Sequence, residues 1–306
     1  MIAIDMIASH RTFSFVAALV VALAIIGCSR NDPAPPLSPP NPQQKALAMS
    51  PSVSIKVGES ASEFAKRYAG LVKMHQPAPG TEYYAIDWDD RPRGIVQVDH
   101  GRFSFMIDDV LGISSLLINE LSNEGLSEFT IFSGITEPDL ISHDEARRKF
   151  YEILQSIQQK GWKPLVERGD ARISGKERLN YALGTDKYAG LDPYYLPTLE
   201  EWMRIESLTP WSFYADHVYL DLNFTREPTL TDPTKPGSYL ISFDLKTEAE
   251  YFRSFVKGED RHRWKELMPP ELDRLAQQRK EKEAALEADG IKIDTSYQDP
   301  PVPELK

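Results

Sequence analysis

The stretch Val218-Tyr219-Leu220-Asp221-Leu222-Asn223-Phe224 decides the fold, because its first, third, fifth and seventh residues are all apolar. Side chains along an extended strand alternate between faces, so this spacing describes a strand with one buried face. Tyr239–Leu245 (YLISFDL) is its partner across the Pro-rich loop Glu227–Gly237. Further toward the N-terminus, Tyr83–Trp88, Gly94–Val98 and Arg102–Ile107 read as a meander, with Asp99-His100-Gly101 as the turn between the last two. Glu128–Phe132 reads as one more strand.

Helix starts lie between these runs. Ser60-Ala61-Ser62-Glu63, Ser142-His143-Asp144-Glu145, Thr198-Leu199-Glu200-Glu201 and Thr247-Glu248-Ala249-Glu250 share one pattern. In each, a hydroxyl and a glutamate three residues on can satisfy each other's free amides. The second start leads the strongest helix, with Ala146, Phe150, Ile153, Leu154 and Ile157 at helical spacing and Lys160-Gly161 as its stop. Helices interleaved with antiparallel hairpins predict an α+β fold rather than a parallel sheet. A break near Thr136–Ile141 divides the body into two expected units, 52–136 and 140–260. Residues 261–306 follow, with Glu271–Asp289 as a charged, solvated helix, Gly290 as its end and Ile291–Lys306 as a tail.

The formal charge is −11. An acidic body argues against nucleic acid and against electrostatic docking on anionic lipid, and it suits a basic partner. The chain contains no G-x-S-x-G elbow, Gly-rich phosphate loop, H-E-x-x-H or zinc-spaced Cys/His cluster. His75, His100, His143, His217 and His262 are isolated in sequence. The position of His143 inside a capping box assigns it to solvent. No cofactor and no enzymatic activity are expected.

Two clusters stand out as candidate contact sites. Asp87, Asp89 and Asp90 end one strand and Asp108-Asp109 another, with Arg91 and Arg93 beside the first group. They fit a solvated turn neutralised by the arginines, a protein-contact patch, or a site for a hard cation or paired catalytic acids. The second cluster is aromatic: Leu191–Pro197, with Tyr194 and Tyr195, and Pro210–Tyr214 flank the Trp202 helix. Trp211 and Phe213 suit the core, whereas Tyr194 and Tyr195 suit either the core or a recognition surface, where tyrosine is enriched.

At the N-terminus, the apolar run Phe13–Ile26 follows His10 and Arg11 and ends at Gly27-Cys28. Fourteen residues fall short of the roughly 20 that a membrane span needs, and fit the apolar region of a secretory signal. Met6 as the start would omit Asp5 and give a more positive beginning. Ile25-Ile26-Gly27-Cys28 resembles the lipobox of bacterial lipoproteins. That resemblance implies cleavage of residues 1–27, acylation of Cys28, the only cysteine in the chain, and a membrane anchor. Ser29, rather than aspartate, implies the outer membrane with the body facing the periplasm. Residues 28–51 form the lipidated cysteine and a Pro-rich linker with a reach of about 60–70 Å.

From Ile141 to Phe150, at Gly161-Trp162, and again over Leu191–Trp202 and Ser238–Phe255, the chain resembles envelope lipoproteins that act as immunity proteins against type VI secretion effectors, lipases in particular. The resemblance implies a membrane-anchored inhibitor whose protein partner is a secreted lipase, and it assigns no site residue. Two other functions share the same sequence features: an envelope hydrolase working through dispersed carboxylates, and an envelope assembly or scaffold lipoprotein.

Overall fold

The computed structural model describes residues 52–88, 92–136, 138–184 and 189–305; the leader, Cys28, the linker, Asp89, Asp90 and Arg91 lie outside them. In chain order the strands are β1 (Ser52–Ile55), β2 (Lys73–His75), β3 (Thr81–Asp87), β4 (Gly94–Val98), β5 (Phe105–Ile118) and β6 (Glu128–Gly134). They continue as β7 (Ile141–Ser142), β8 (Lys163–Pro164), β9 (Trp211–Ala215), β10 (Val218–Arg226), β11 (Pro236–Gly237) and β12 (Tyr239–Thr247). The helices are α1 (Ala61–Arg67), α2 (His143–Gln159), α3 (Gly175–Gly184), α4 (Leu199–Arg204), α5 (Glu248–Arg253) and α6 (Trp264–Ala288).

β10 and β12 pair antiparallel from Val218↔Thr247 to Arg226↔Tyr239. Around this pair a ten-stranded sheet forms in the order β1-β4-β5-β6-β12-β10-β9-β8, with β3 beside β5 and β2 beside β3. Only β1 and β4 run parallel among the described ladders. Helices and a mainly antiparallel sheet make the protein α+β. The separate pair β7–β11 ties the start of α2 to the end of the Pro-rich loop.

The expected division into two units is not what the tertiary structure forms. β6 and β12 pair from Leu240↔Gly134 to Lys246↔Glu128, so one sheet runs across the supposed boundary. All described residues fall within one compact unit. The irregular stretch after β6 is a surface loop, and the pairing that joins the halves comes from a strand more than a hundred residues later.

The main core occupies one face of the sheet. Leu220, Leu222 and Phe224 of β10 meet Ile241, Phe243 and Leu245 of β12 and Phe129 and Ile131 of β6, all buried. α2 lays Ala146, Phe150, Leu154 and Ile157 over them, and α4 adds Trp202. Phe150 packs against Trp202, Trp211 and Phe224 at ring distances of 4.7–5.8 Å, a spacing at which aromatic rings attract. A second, smaller core covers part of the opposite face, where Leu165, Tyr219, Tyr251, Phe252, Trp264 and Met268 gather. Tyr219 and Tyr251 stack there at 3.6 Å.

The four capping hydroxyls form their half of each expected box: Ser60, Ser142, Thr198 and Thr247 each accept from the backbone N–H three residues on. Thr198–Glu201 forms the reciprocal box. Several expectations shift. The meander does not form, since β3 and β4 both pair with β5, β4 along its first half and β3 along its second; β5 itself starts at Phe105 and runs to Ile118, because Gly101–Phe103 close as a single 3₁₀ turn. α6 starts at Trp264, not at Glu271, with Pro269 and Pro270 inside it. Burial of Trp264 and Met268 in the smaller core holds the first turns despite the prolines.

Nor does α6 stand solvated and free. Leu275, Glu283 and Leu286 are buried, and a polar seam docks the helix on residues 167–172. Glu283 receives the backbone N–H of Arg172 at 3.0 Å and its guanidinium at 2.7 Å through each oxygen. Arg279 donates to the carbonyls of Asp170 and Glu167 and to Asp299, and Lys282 reaches Asp170 at 2.8 Å.

Candidate functional site

Asp108 and Asp109 occupy a β-bulge in β5, and Asp87 ends the neighbouring strand β3. Val96 pairs with Ile107 and Gly94 with Val110, so Asp108 and Asp109 together oppose the single residue Ile95. Asp109 sits at φ +53°, a left-handed conformation that aspartate tolerates better than most residues. Asp87 ends β3 opposite Gly112 and pairs with Lys73 at 3.0 Å, both exposed. Arg93 does not neutralise this group. It pairs with Asp139 and lies over Gly134, where an added Cβ would come within 2.6 Å of its Nη1. Among the described residues no group of three or more His, Cys, Asp or Glu is arranged to hold a metal ion.

The aromatic loop separates into brace and display. Tyr195 is half-buried and its hydroxyl donates to the Glu201 carboxylate at 3.0 Å. Asp192 accepts from Gly175 N at 2.7 Å and Tyr194 N at 2.8 Å, and Arg147 holds the Pro197 carbonyl at 2.8 Å. On this braced backbone Tyr194 is 71% exposed and Leu196 49%. Trp211 and Phe213 are fully buried, in agreement with their reading as core.

A further group emerges from the sheet register. Thr130, Asp244, Asp221 and Ser212 stand in one row across β6, β12, β10 and β9. They occupy the face opposite the main core. Thr130 donates to Asp244 Oδ1 at 2.7 Å, while Ser242 and Asn223 donate to Oδ2 at 3.0 and 3.3 Å. Ser212 donates to Asp221 Oδ1 at 2.5 Å. In the adjacent row Lys246 pairs with Glu128 at 3.4 Å. Burial, with repulsion from Asp221 among the lesser causes, raises the Asp244 carboxyl above its ordinary range. Burial likewise raises Glu128 against the pull of Lys246. Asp221 is the middle outward position of Val218–Phe224 and Asp244 the last outward position of Tyr239–Leu245, so the residue types were visible in the sequence while their opposition came from the register.

His143 is the clearest correction to the sequence reading: it is buried, not solvent-facing. The Tyr239 hydroxyl oxygen accepts from Trp202 Nε1 at 3.1 Å and Arg226 Nε at 3.2 Å. Both are obligate donors, so the hydroxyl proton goes to His143 Nδ1, which lies within hydrogen-bond distance. The imidazole is therefore neutral with its proton on Nε2. Burial, then the charge of Arg226, lowers its pKa, and the Asp232 backbone and carboxylate oppose this only in part. Gly237 backs onto the ring, where a Cβ would approach within 2.4 Å.

Two clefts among the described residues hold about 120 Å³ beside Arg93, Asp139 and Tyr239, and about 50 Å³ beside Leu191 and Arg204. Both fall below the roughly 300–1,000 Å³ of small-molecule sites. No described helix is long and apolar enough to cross a membrane.

The chain is thus an α+β protein. It matches no protein-family model, no curated protein and no solved structure.

Proposed function

We propose that the chain is a membrane-anchored periplasmic binding protein that occludes a secreted toxic enzyme, a type VI lipase effector being the partner implied by resemblance. In this reading Cys28 carries the lipid, the outer membrane holds the anchor and the Pro-rich linker sets the reach. The observation that supports it best is the 191–197 loop. An exposed tyrosine and leucine are presented on a backbone already held by Asp192, Glu201 and Arg147. A large aromatic on a pre-ordered loop loses little freedom on binding, which is the usual physics of an interface anchor. The acidic body favours encounter with a basic partner by raising the association rate.

The test is survival. The full chain is co-expressed with a candidate secreted lipase from the same genome, the lipase being directed to the periplasm of a Gram-negative host. The chain should rescue growth, and Tyr194→Ala with Leu196→Ala should abolish rescue without lowering the melting temperature. Equal survival with and without the chain would sink the proposal. Cys28→Ser should remove fatty-acid labelling.

A further inference from the structure

Cross-strand register places Asp221 directly opposite Asp244. Directly opposed like charges disfavour an antiparallel pair, and their Cβ atoms lie about 4.5–5.5 Å apart. One neighbouring cation is shared among three acids: Lys246 makes its ion pair with Glu128, and its charge acts on Asp221 and Asp244 as well. Neutral donors serve the two carboxylates, from Thr130, Ser242 and Asn223 on Asp244 and from Ser212 on Asp221. The second oxygen of Asp221 accepts no hydrogen bond from the described residues.

Asn223 supplies an independent observation. It lies two residues beyond Asp221 on the same strand and hence on the same face. The side chain is only 8% exposed. Its amide nitrogen is committed to Asp244, which turns its carbonyl Oδ1 into a buried acceptor with no partner. Leaving a buried acceptor unmatched is unfavourable. The spot therefore combines excess negative charge, free acceptor capacity and partial access to solvent, since Asp221 and Asp244 are both only half-buried. A group that is positive and carries several N–H donors answers all three features.

We infer that Asp221, Asp244 and Asn223 form a seat for one basic side chain, a lysine ammonium or an arginine guanidinium, presented by a bound protein partner. The inference rests on the reading of the chain as a protein-binding protein, and it adds the chemistry of the contact. The incoming cation sits between the two carboxylates, relieves their repulsion and donates to the second oxygen of Asp221. Charge-assisted hydrogen bonds of this kind are the stronger ones. Thr130, Ser242 and Ser212 hold the carboxylates in place beforehand.

The experiment uses the full chain in detergent micelles and a tri-lysine peptide as the probe, with its fully Nε-acetylated counterpart as the control. Calorimetric titration should show at least tenfold tighter binding of tri-lysine than of the acetylated peptide. Asp221→Asn with Asp244→Asn keeps size and shape and should erase that preference. Asp87→Asn with Asp108→Asn, on acids outside this row, should retain it. Equal binding by the two peptides, or equal loss in both double variants, would overturn the site in favour of general attraction to an acidic surface. Should the Asp221/Asp244 variant fail to fold, carbodiimide coupling of tri-lysine to the unmodified chain decides: amide links at Asp221 or Asp244 support the seat, and links only at other acids refute it. None of these outcomes involves the lipase, so the seat and the proposed function stand or fall separately.

Discussion

His143 and Tyr239, 96 residues apart in the chain, share a buried hydrogen bond whose proton belongs to the tyrosine. Trp202 and Arg226 occupy the other sites on the same hydroxyl. The start of α2, the C-terminal end of α4, β10 and β12 are thereby held at a single atom. A proton added to Nδ1 would face a hydroxyl with no lone pair left to accept it.

This arrangement predicts acid sensitivity above the carboxylate range. The unfolded chain takes up a proton on His143 near the ordinary value of 6.5, whereas the folded chain resists it. Stability contributed by the neutral ring is therefore full above that pH. It is lost progressively as pH falls toward the lowered folded value. Urea midpoints at pH 8, 7, 6 and 5 should decline below about pH 6.5, and His143→Gln should flatten that decline. Parallel curves for the two proteins would contradict the assignment.

Arg253 is the most deeply buried charge among the described residues, at 0% exposure. It joins Glu250 at 2.6 Å and Glu124 at 2.6 and 2.7 Å, linking α5 to the 3₁₀ turn Asn119–Glu124. Arg253→Met should cost about 3–5 kcal/mol, because Glu250 would be left buried with diminished compensation. Adding Glu250→Met should recover part of the loss. Equilibrium urea unfolding measures both, and a cost under 1 kcal/mol for the single change would show that the network contributes little.

At the β5 bulge the backbone conformation should matter more than the charge. Asp109→Asn keeps a residue at ease near φ +53° and should cost less than Asp109→Val. Asp109→Val should cost roughly 1–2 kcal/mol, because a β-branched side chain is strained in the left-handed region. Thermal unfolding of the pair distinguishes the two contributions.

The docking of α6 should depend on Glu283. Its carboxyl is held below its ordinary value chiefly by the Arg172 hydrogen bonds. The contribution is therefore present above about pH 4.5 and lost as pH falls through the folded value. Glu283→Gln should weaken the seam by about 1.5–3 kcal/mol. Faster amide exchange confined to the last turns of α6, with the β10 and β12 amides unchanged, is the expected signature.

Local features of this protein were legible in the chain because their causes are local. A hydroxyl at Ser60, Ser142, Thr198 or Thr247 caps whatever helix begins beside it, and alternation over Val218–Phe224 commits one face to burial. The bulge pair Asp108-Asp109 and the braced loop around Tyr194 were visible as residue types, but not as the geometry that explains them. β9, with Trp211 and Phe213, appeared only as an aromatic run whose strand needed a neighbour to exist.

Tertiary structure alone decided three things. It joined the two expected units, because β6 finds β12 by long-range pairing that no local pattern contains. It buried His143, a polar residue at a helix start, because Tyr239 arrives from the far side of the Pro-rich loop to satisfy it. And it set Asp221 against Asp244, since two alternating strands become a charged row only when register fixes which residues face each other. The sequence by itself determined the capped helix starts and the alternating strands, with the apolar face of each, because those causes are local; the remaining strands and the placing of polar groups across the sheet followed from pairing over the whole chain.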